Sequence, residues 1–364
     1  MGLPCSGCCN ASGLNTRNSG NRAAIRAALF RRVEMEDAHQ NRVAVYGAGA
    51  IGCLLAARLA QAGCEVTLIA RGQTLASLRQ HGVGLIADGV TRHYPVLATD
   101  DPRQVRDADY LFVAVKQQAL DEIGAHLAPM LAPRGVVVPA VNGIPWWYLP
   151  TLNSPLGDTP LQSVDGRGIL RRALPLERVL GAVVYIAANA AAPGIAAQNA
   201  RNNLIIGELD GGVSARATRL AELLRASGLQ CEVTARIHQA VWIKAMGNAT
   251  FNPLSVLANA TMEGMVRDPH LGKLARAMLD EYLTLGKALG LALPVTVEER
   301  MQAAASAGAA KTSMLQDALQ GKPLEADALV GAMIEIAAKL NLDMPFANTV
   351  WGLIRHRNLS AGST

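Results

Sequence analysis

A glycine-rich turn between an apolar strand and a helix-forming segment most strongly constrains how this chain folds. Residues 42–46 read Arg-Val-Ala-Val-Tyr, and Gly47-Ala48-Gly49-Ala50-Ile51-Gly52 follows directly. In this Gly-x-Gly-x-x-Gly pattern the first glycine permits a tight turn, the second lets the backbone approach a pyrophosphate, and the third lets the helix pack closely on the strand. The helix that follows, at 50–61, would direct its N-terminal N–H groups at the phosphates. The pattern predicts a βαβ unit that binds a dinucleotide.

The residue after the second strand indicates which dinucleotide is bound. That strand covers 65–70 and Arg71 follows it, at the position where a Rossmann fold contacts the adenosine ribose. An acidic residue here would accept hydrogen bonds from a ribose 2′-hydroxyl, whereas an arginine fork matches the oxygens of a 2′-phosphate. Arg71 therefore favours NADP(H) over NAD(H); the alternative is a solvated loop cation.

Strands and helices alternate beyond this unit. The predicted elements are a helix at 73–80, strands within 83–98 with a turn at 88–89, a nearly continuous apolar strand at 109–116, a helix at 117–131 and a buried strand at 135–141. This alternation predicts an α/β domain with a doubly wound, Rossmann-type sheet, whose ligands bind beyond the carboxyl ends of the strands. Lys116 and Asn142 lie at two of these ends.

The later part of the chain changes from strands to helices. The prediction, in chain order, is a surface loop at 151–174, strands within 179–209 and a helix at 214–227. From about 237 to 357 apolar residues recur at three and four positions, which predicts an all-α domain. We expect 41–215 to form the NADP-binding domain and 216–360 to form a helical domain that binds the substrate.

Composition indicates a globular protein that binds small anionic molecules. Hydrophobic residues make up 50% of the chain and charged residues 17%, with a net charge of +5. The positive charge suits an anionic cofactor or an acid substrate, but nothing resembles a nucleic-acid-binding module. No apolar run reaches the roughly 18 residues that a membrane span requires. We expect a cytoplasmic monomer or homodimer that binds neither nucleic acid nor membrane.

The cysteines and the first 40 residues do not indicate a fold. We interpret Cys53, Cys64 and Cys231 as small buried hydrophobic residues in a reducing compartment. Cys5, Cys8 and Cys9 have no second Cys/His pair nearby, so we expect no metal. Residues 1–40 contain five arginines and no acid before Glu34, which is also typical of a mitochondrial presequence. We expect a disordered arm, or a segment upstream of a start at Met35.

A polar stripe interrupts an otherwise apolar helix at 242–253. Lys244, Asn248 and Asn252 recur at i, i+4 and i+8, so their side chains would project from one face. Such groups are costly to bury unless they are hydrogen-bonded. The stripe would face the cleft that holds the nicotinamide, or it is a solvated face or a set of contacts between helices. The residues alone leave these alternatives open.

Several separated motifs together resemble the ketopantoate reductases (2-dehydropantoate 2-reductases) over about residues 42–357. The motifs are the glycine turn at 47–52, Arg71, Val115-Lys116, Asn142-Gly143, the segment from Trp242-Ile243-Lys244 to Asn252-Pro253-Leu254, Ser313-Met314-Leu315-Gln316-Asp317, and Glu325-Ala326-Asp327. Their agreement in order is more specific than any single motif.

The resemblance implies NADPH-dependent reduction of a 2-oxo acid, most directly ketopantoate to (R)-pantoate in pantothenate biosynthesis. By similarity, Lys244 is the general acid that stabilises and protonates the alkoxide, and Glu325 holds the nascent hydroxyl or orients Lys244. The implied substrate-binding residues are Asn142, Asn248, Asn252 and Ser313, of which Ser313 would receive the substrate carboxylate with Asn248 and Asn252 as further hydrogen-bond partners. The implied cofactor-binding residues are Gly47, Ala48, Gly49, Ala50, Ile51, Gly52, Arg71, Lys116 and Asn142. Without the resemblance, Glu325 is a surface acid and Ser313 a solvated hydroxyl.

Three departures from the family pattern concern the substrate. The bulky run Trp146-Trp147-Tyr148 stands where the family has a small, glycine-containing turn, and we expect it to reshape the substrate pocket. The segment 153–172 is longer than usual, and Gln198 lies near the position of a typical histidine. The alternatives are therefore a reductase of another 2-oxo acid or ketone, and a non-catalytic protein that binds NADP(H) as a sensor.

Overall fold

A computed structural model describes residues 41–361 of the protein. The expectations for residues 1–40, including those for Cys5, Cys8 and Cys9, lie outside the described residues. The strands are β1 (Arg42–Tyr46), β2 (Glu65–Ile69), β3 (Val83–Ala87), β4 (Val90–Tyr94), β5 (Leu97–Thr99), β6 (Ala108–Val113), β7 (Leu131–Pro139), β8 (Gly181–Ala192), β9 (Ile195–Gly207) and β10 (Gln230–Val233).

The helices alternate with these strands at first and then fill the rest of the chain. They are α1 (Ala50–Gln61), α2 (Gly72–His81), α3 (Leu120–Leu127), α4 (Tyr148–Thr151), α5 (Gln162–Asp165), α6 (Ile169–Ala173), α7 (Ala215–Ala226), α8 (Ile237–Ala258), α9 (Met262–Arg267), α10 (Pro269–Ala288), α11 (Val297–Ala305), α12 (Ser313–Leu319), α13 (Ala332–Lys339) and α14 (Pro345–Ala361). A π-helical turn, Asp327–Gly331, precedes α13.

The first sheet confirms the Rossmann-type prediction. It has five strands in the order β5-β2-β1-β6-β7, and every pairing is parallel. Strand β1 is central, and its residue Val45 pairs with Leu68 on one side and Phe112 on the other. The order of strands reverses at β1, and ligands bind at such a point beyond the carboxyl ends of the strands. The turn at Gly47 and the residues after β6 and β7 meet at this edge.

The remaining strands form a second sheet, whose existence the sequence did not predict. Its order is β10-β9-β3-β4, and β8 pairs with β9. The pairings are mixed, because β4 and β8 are antiparallel to their neighbours while β3 and β10 are parallel to β9. Helix α1 packs against strands of both sheets. Strand β10 therefore belongs to the second sheet, and α7 packs on it. The segment 215–233 thus belongs with the sheets rather than with the helices that follow.

Two segments between the strands differ from their predictions. The helix expected at 117–131 is shorter, because α3 ends at Leu127, Pro129 lies in a separate 3₁₀ turn, and Leu131 already begins β7. The segment 151–174 was expected to be a surface loop; residues 152–161 form no regular element, whereas α5 and α6 lie within 162–173. Its apolar side chains Leu161, Val164, Leu170 and Leu174 are buried. The prediction of a loop was wrong for this second part, because proline and glycine do not show which apolar residues face the core.

The remaining described residues, from α8 to α14, are helical, as the periodicity predicts. Most of these helices are short, and several begin at a Thr or Asp whose side chain accepts a hydrogen bond from the first turn. These N-cap residues are Thr261, Asp268, Thr296 and Thr312. Thr296 also forms a reciprocal capping box with Glu299. The caps fix where each helix begins.

Two buried clusters show how the sheets and helices share their interior. One lies between the two sheets around α1. The other extends from the opposite face of the first sheet into the helices, joining Leu111 and Val137 to residues such as Trp242 and Met333. Because one apolar core crosses from strands to helices, residues of α8 and of the segment before α13 are held against the carboxyl edge of the first sheet.

Candidate active site

Close contacts with backbone atoms require glycine at two positions of the turn. Gly47 has φ +101°, and a Cβ atom placed on it would lie 2.7 Å from the carbonyl oxygen of Ala114. A Cβ atom on Gly52 would lie 1.8 Å from the carbonyl oxygen of Gly47. Only glycine at position 52 therefore lets α1 lie this close to the end of β1.

The open side of the turn fits the pyrophosphate of a dinucleotide. Gly49 is exposed, and no atom lies within 4 Å of a Cβ atom placed on it. Helix α1 begins there with no side-chain cap and no acidic residue in its first turn. Its first N–H groups are thus available to an anion. Ala48, Ala50 and Ile51 complete the turn and are partly buried.

Arg71 lies between β2 and α2, where the sequence predicts the ribose contact. Its Nη2 atom is 3.0 Å from Glu122 Oε1, and both side chains are about two-thirds exposed, at 67% and 62%. An ion pair this exposed contributes little to stability. The guanidinium can therefore exchange Glu122 for a phosphate at small cost.

Lys244 meets the end of β7 across the junction between strands and helices. Its Nζ donates a hydrogen bond to Oδ1 of Asn142 at 2.8 Å, and it lies 5.8 Å from the centre of the Tyr185 ring. Burial lowers the pKa of Lys244 from 10.5 to about 8, and the charge of Glu325 opposes this shift. The structure thus brings together Lys244, Asn142 and Glu325.

Glu325 is not a surface acid, because the backbone of the nucleotide-binding half holds it. Its Oε1 accepts a hydrogen bond from the backbone N–H of Gln117 at 3.1 Å. Burial raises the pKa of Glu325, while the Gln117 N–H, Lys116 and Lys244 act in the opposite direction. The carboxyl group therefore lies among hydrogen-bond donors and cations.

Lys116 contacts the helical half of the protein. Its Nζ donates to Oδ2 of Asp317 at 3.0 Å and to the carbonyl oxygen of Pro323 at 3.1 Å. The residue follows β6, so one ion pair connects the carboxyl edge of the sheet to α12. The sequence did not predict that the backbone N–H of Gln117 would donate a hydrogen bond to Glu325. Its position directly after Lys116, at the end of a strand, is the signal that could have found it.

The remaining predicted substrate residues differ in their surroundings. Asn252 is 5% exposed, and its Nδ2 has no hydrogen-bond partner among residues 41–361. Asn248 is partly buried on the same helix. Ser313 is exposed at the start of α12, and the buried hydroxyl there belongs to Thr312, which bonds to Ser255. The structure does not connect Ser313 or Asn248 to Lys244 by a hydrogen bond.

The aromatic run after Asn142 packs into the core, contrary to the expectation for Trp147 and Tyr148. Both rings are fully buried and lie against His238, and Tyr148 stacks on Trp242 at a centroid distance of 6.1 Å. Trp146 is 4% exposed. These rings therefore fill the interior between the sheet and α8, whose first turn supplies His238 as a neighbour.

Other sequence features have structural explanations. Gln198 accepts two hydrogen bonds from the guanidinium of Arg58. Cys53, Cys64 and Cys231 are buried free thiols, as predicted, and burial raises their pKa values to about 12, 11 and 11.

Within residues 41–361 no group of three or more His, Cys, Asp or Glu side chains could hold a metal ion. No helix in that range is long and apolar enough to cross a membrane.

Comparison with known proteins identifies one family over most of the chain. The family model described as ketopantoate reductase PanE/ApbA matches residues 43–211, and the one for its C-terminal part matches residues 236–358. The 2-dehydropantoate 2-reductase of Mesorhizobium japonicum is 37% identical over 88% of this chain and 99% of its own. The 2-dehydropantoate 2-reductase of Archaeoglobus fulgidus is 31% identical over 86% and 97%.

A solved structure agrees with these sequence matches. It comes from Ralstonia solanacearum MolK2, is described as a ketopantoate reductase, and superimposes with a TM-score of 0.84. The two chains are 38% identical over 88% of this one and 99% of the other. Family models, identity and fold thus coincide along nearly the same residues. The chain belongs to the ketopantoate reductase family and is an oxidoreductase that acts on a CH–OH group.

Proposed function

We propose that the protein reduces ketopantoate, a 2-oxo acid, to (R)-pantoate with NADPH, and that Lys244 is the general acid. The observation that carries this proposal is the position of Lys244 Nζ at the carboxyl edge of the parallel sheet, 2.8 Å from Asn142 Oδ1. The names of the relatives from Mesorhizobium japonicum and Archaeoglobus fulgidus support the substrate.

The lysine has the chemistry that reduction of a ketone requires. Bound NADPH would supply a hydride to the carbonyl carbon. Negative charge then develops on the carbonyl oxygen, where an ammonium group stabilises it and donates a proton. A pKa of about 8 makes Lys244 a better proton donor near neutral pH than an unperturbed lysine. Glu325 holds the new hydroxyl or orients Lys244, while the N–H of Gln117 fixes its carboxyl group.

Amide and hydroxyl groups near Lys244 supply contacts for the rest of the substrate. We assign Asn142, Asn248, Asn252 and Ser313 to substrate binding. The unpartnered Nδ2 of Asn252 supports its assignment, since a buried amide without a partner is costly until a ligand oxygen accepts its hydrogen bond. Ser313 is exposed, so it would contact a substrate from the side that faces solvent.

We assign NADP(H) as the cofactor on the basis of the glycine turn and Arg71. The uncapped start of α1 would receive the pyrophosphate, and Arg71 would exchange its weak pair with Glu122 for the 2′-phosphate. Lys116 and Asn142 would line the nicotinamide side. Residues 41–215 would bind the cofactor and 216–360 the substrate, as a monomer or a homodimer.

Loss of nicotinamide absorbance tests this proposal. Purified protein with NADPH should consume ketopantoate faster than other 2-oxo acids and ketones in a panel. Lys244→Ala should lower turnover by about 10²- to 10⁴-fold and leave NADPH binding nearly unchanged. Lys287→Ala, which removes an exposed lysine of α10, is the matched control.

Three other outcomes would contradict the proposal. Preference for a different ketone would replace the substrate. Binding of NADPH without turnover of any ketone would indicate a sensor. A loss of NADPH affinity in the Lys244 variant would remove its assignment as a proton donor.

A further inference from the structure

Arg300 is a partly buried arginine without an anionic partner. It lies in α11, and its Nε is buried with no hydrogen-bond partner among residues 41–361. No carboxylate in that range forms a salt bridge with its guanidinium, although the neighbouring residues Glu298 and Glu299 are acidic. Glu298 pairs with Arg276, and Glu299 serves the capping box of Thr296.

The guanidinium lies against the helix that carries Lys244. A Cβ atom placed on Gly247 would be 2.7 Å from Arg300 Nη2, so glycine at this position leaves the space that the guanidinium occupies. Gly247 is three residues after Lys244 and directly precedes Asn248. Arg300 therefore reaches the polar stripe of α8 from a neighbouring helix.

Both Arg300 and Lys244 interact with Tyr185. The Lys244 ammonium lies 5.8 Å from the centre of the Tyr185 ring. The charges of Arg300 and Arg201 both act on the Tyr185 hydroxyl, whose pKa burial raises and these two cations lower. Three positive groups, Lys244, Arg300 and Arg201, thus interact with one tyrosine.

This arrangement is costly without a negative ligand. Burial lowers the pKa of Arg300, and repulsion from Arg201 acts in the same direction. A buried charge requires a partner, and none of the described residues supplies one. A carboxylate would do so, because the planar guanidinium fork binds carboxylates through two parallel hydrogen bonds.

We propose that Arg300 binds the carboxylate of the oxo-acid substrate and thereby selects acids over neutral ketones. The inference rests on the proposed function, since a 2-oxo acid carries its negative charge next to the carbonyl that Lys244 protonates. Arg201 is exposed and adds a longer-range attraction that salt screens. Gly247 is the residue that makes room for the contact.

Comparing KM for an acid and for its uncharged ester distinguishes carboxylate binding by Arg300 from a structural role. The substrates are 3-methyl-2-oxobutanoate and its methyl ester, measured with NADPH. Arg300→Gln should raise KM for the acid about 10- to 100-fold, the loss of a hydrogen bond to a charged group, and leave KM for the ester nearly unchanged. Arg300→Lys should give an intermediate value. Arg103→Gln, which removes an exposed charge elsewhere, should change neither. Equal changes for acid and ester in Arg300→Gln would overturn the inference.

A binding measurement keeps the test independent of turnover. The acid, added with NADP⁺, should raise the Tm of the wild-type protein and not that of Arg300→Gln. If the wild type binds the acid but reduces no ketone, and Arg300→Gln loses this binding, the proposed function fails while the carboxylate contact of Arg300 stands. If Arg300→Gln binds the acid as tightly as the wild type, the inference fails and the reaction stands.

The stability of the variants also distinguishes carboxylate binding by Arg300 from a structural role. Removal of an uncompensated charge should leave Tm unchanged or raise it, whereas a structural arginine would lower it. Gly247→Ala is the second variant, because the added methyl group would displace the guanidinium and raise KM for the acid alone. An unchanged KM for the acid in Gly247→Ala counts against the contact.

Discussion

The pH dependence of turnover tests the environment of Lys244 directly. Burial lowers the pKa of this lysine to about 8, and Glu325 limits the shift. A general acid must be protonated to act, so kcat/KM should be constant at neutral pH and fall above the pKa. At pH 9 a group with this pKa is protonated in about one tenth of the molecules, whereas an unperturbed lysine is almost fully protonated. We therefore expect the rate at pH 9 to be about one tenth of its value at pH 7.

Glu325→Gln moves this transition in a direction that the structure fixes. The variant removes a negative charge that favours the ammonium form, so the pKa of Lys244 should fall further and the rate should decline from a lower pH. The measurement is kcat/KM from pH 6 to 10.5, with circular dichroism at each pH as a control for unfolding. A rate that stays constant up to pH 10 would refute the argument that Lys244 is buried and donates the proton. An unshifted transition in Glu325→Gln would refute the charge contact alone.

Three further predictions concern the cofactor site and the core. Arg71→Ala should raise KM for NADPH about 10- to 100-fold through loss of a charge-assisted hydrogen bond and leave KM for NADH nearly constant; equal effects on both would exclude a phosphate contact. Gly52→Ala should lower the free energy of unfolding by about 3 kcal/mol or more in urea titrations, because the Cβ atom meets a backbone oxygen at 1.8 Å. Gly49→Ala should keep native stability and weaken only cofactor binding, and equal stabilities of the two variants would disprove this difference. Burial lowers the pKa of His238 from 6.5 to about 4, so the unfolded chain takes up a proton that the folded chain does not, and stability is lost as pH falls through this range. The loss at pH 5 relative to pH 8 is up to about 2 kcal/mol and should be absent in His238→Gln; an equal loss in the variant would assign it to other groups.

Local patterns predicted the elements whose own residues define them. Helix α1 begins and ends at the predicted residues, and the strands and turns near Asp88-Gly89 and Pro193 follow the predicted order. The start of the helical part is also correct within the described chain. In each case the periodicity of apolar residues or a glycine at a bend specifies the structure without reference to distant segments.

Long-range packing accounts for what the sequence did not predict. Trp147 is buried because β8 and α8 leave a space for it, with a Cβ atom on Gly181 only 3.1 Å from its ring. The division of the later strands into a second sheet depends on pairing of β9 with β3, far apart in the chain. The contacts of Gln117 with Glu325 and of Arg300 with Gly247 likewise join segments that no local pattern relates.

The ion pair between Lys116 and Asp317 makes the junction between the sheet edge and α12 sensitive to salt. Any opening of the junction must break this contact and the neighbouring bond to Pro323. Both charged side chains are partly exposed, at 39% and 22%, so dissolved ions weaken their attraction. Rising ionic strength should therefore weaken this link between the sheet edge and α12, so kinetic constants of this enzyme should be compared only between buffers of equal ionic strength.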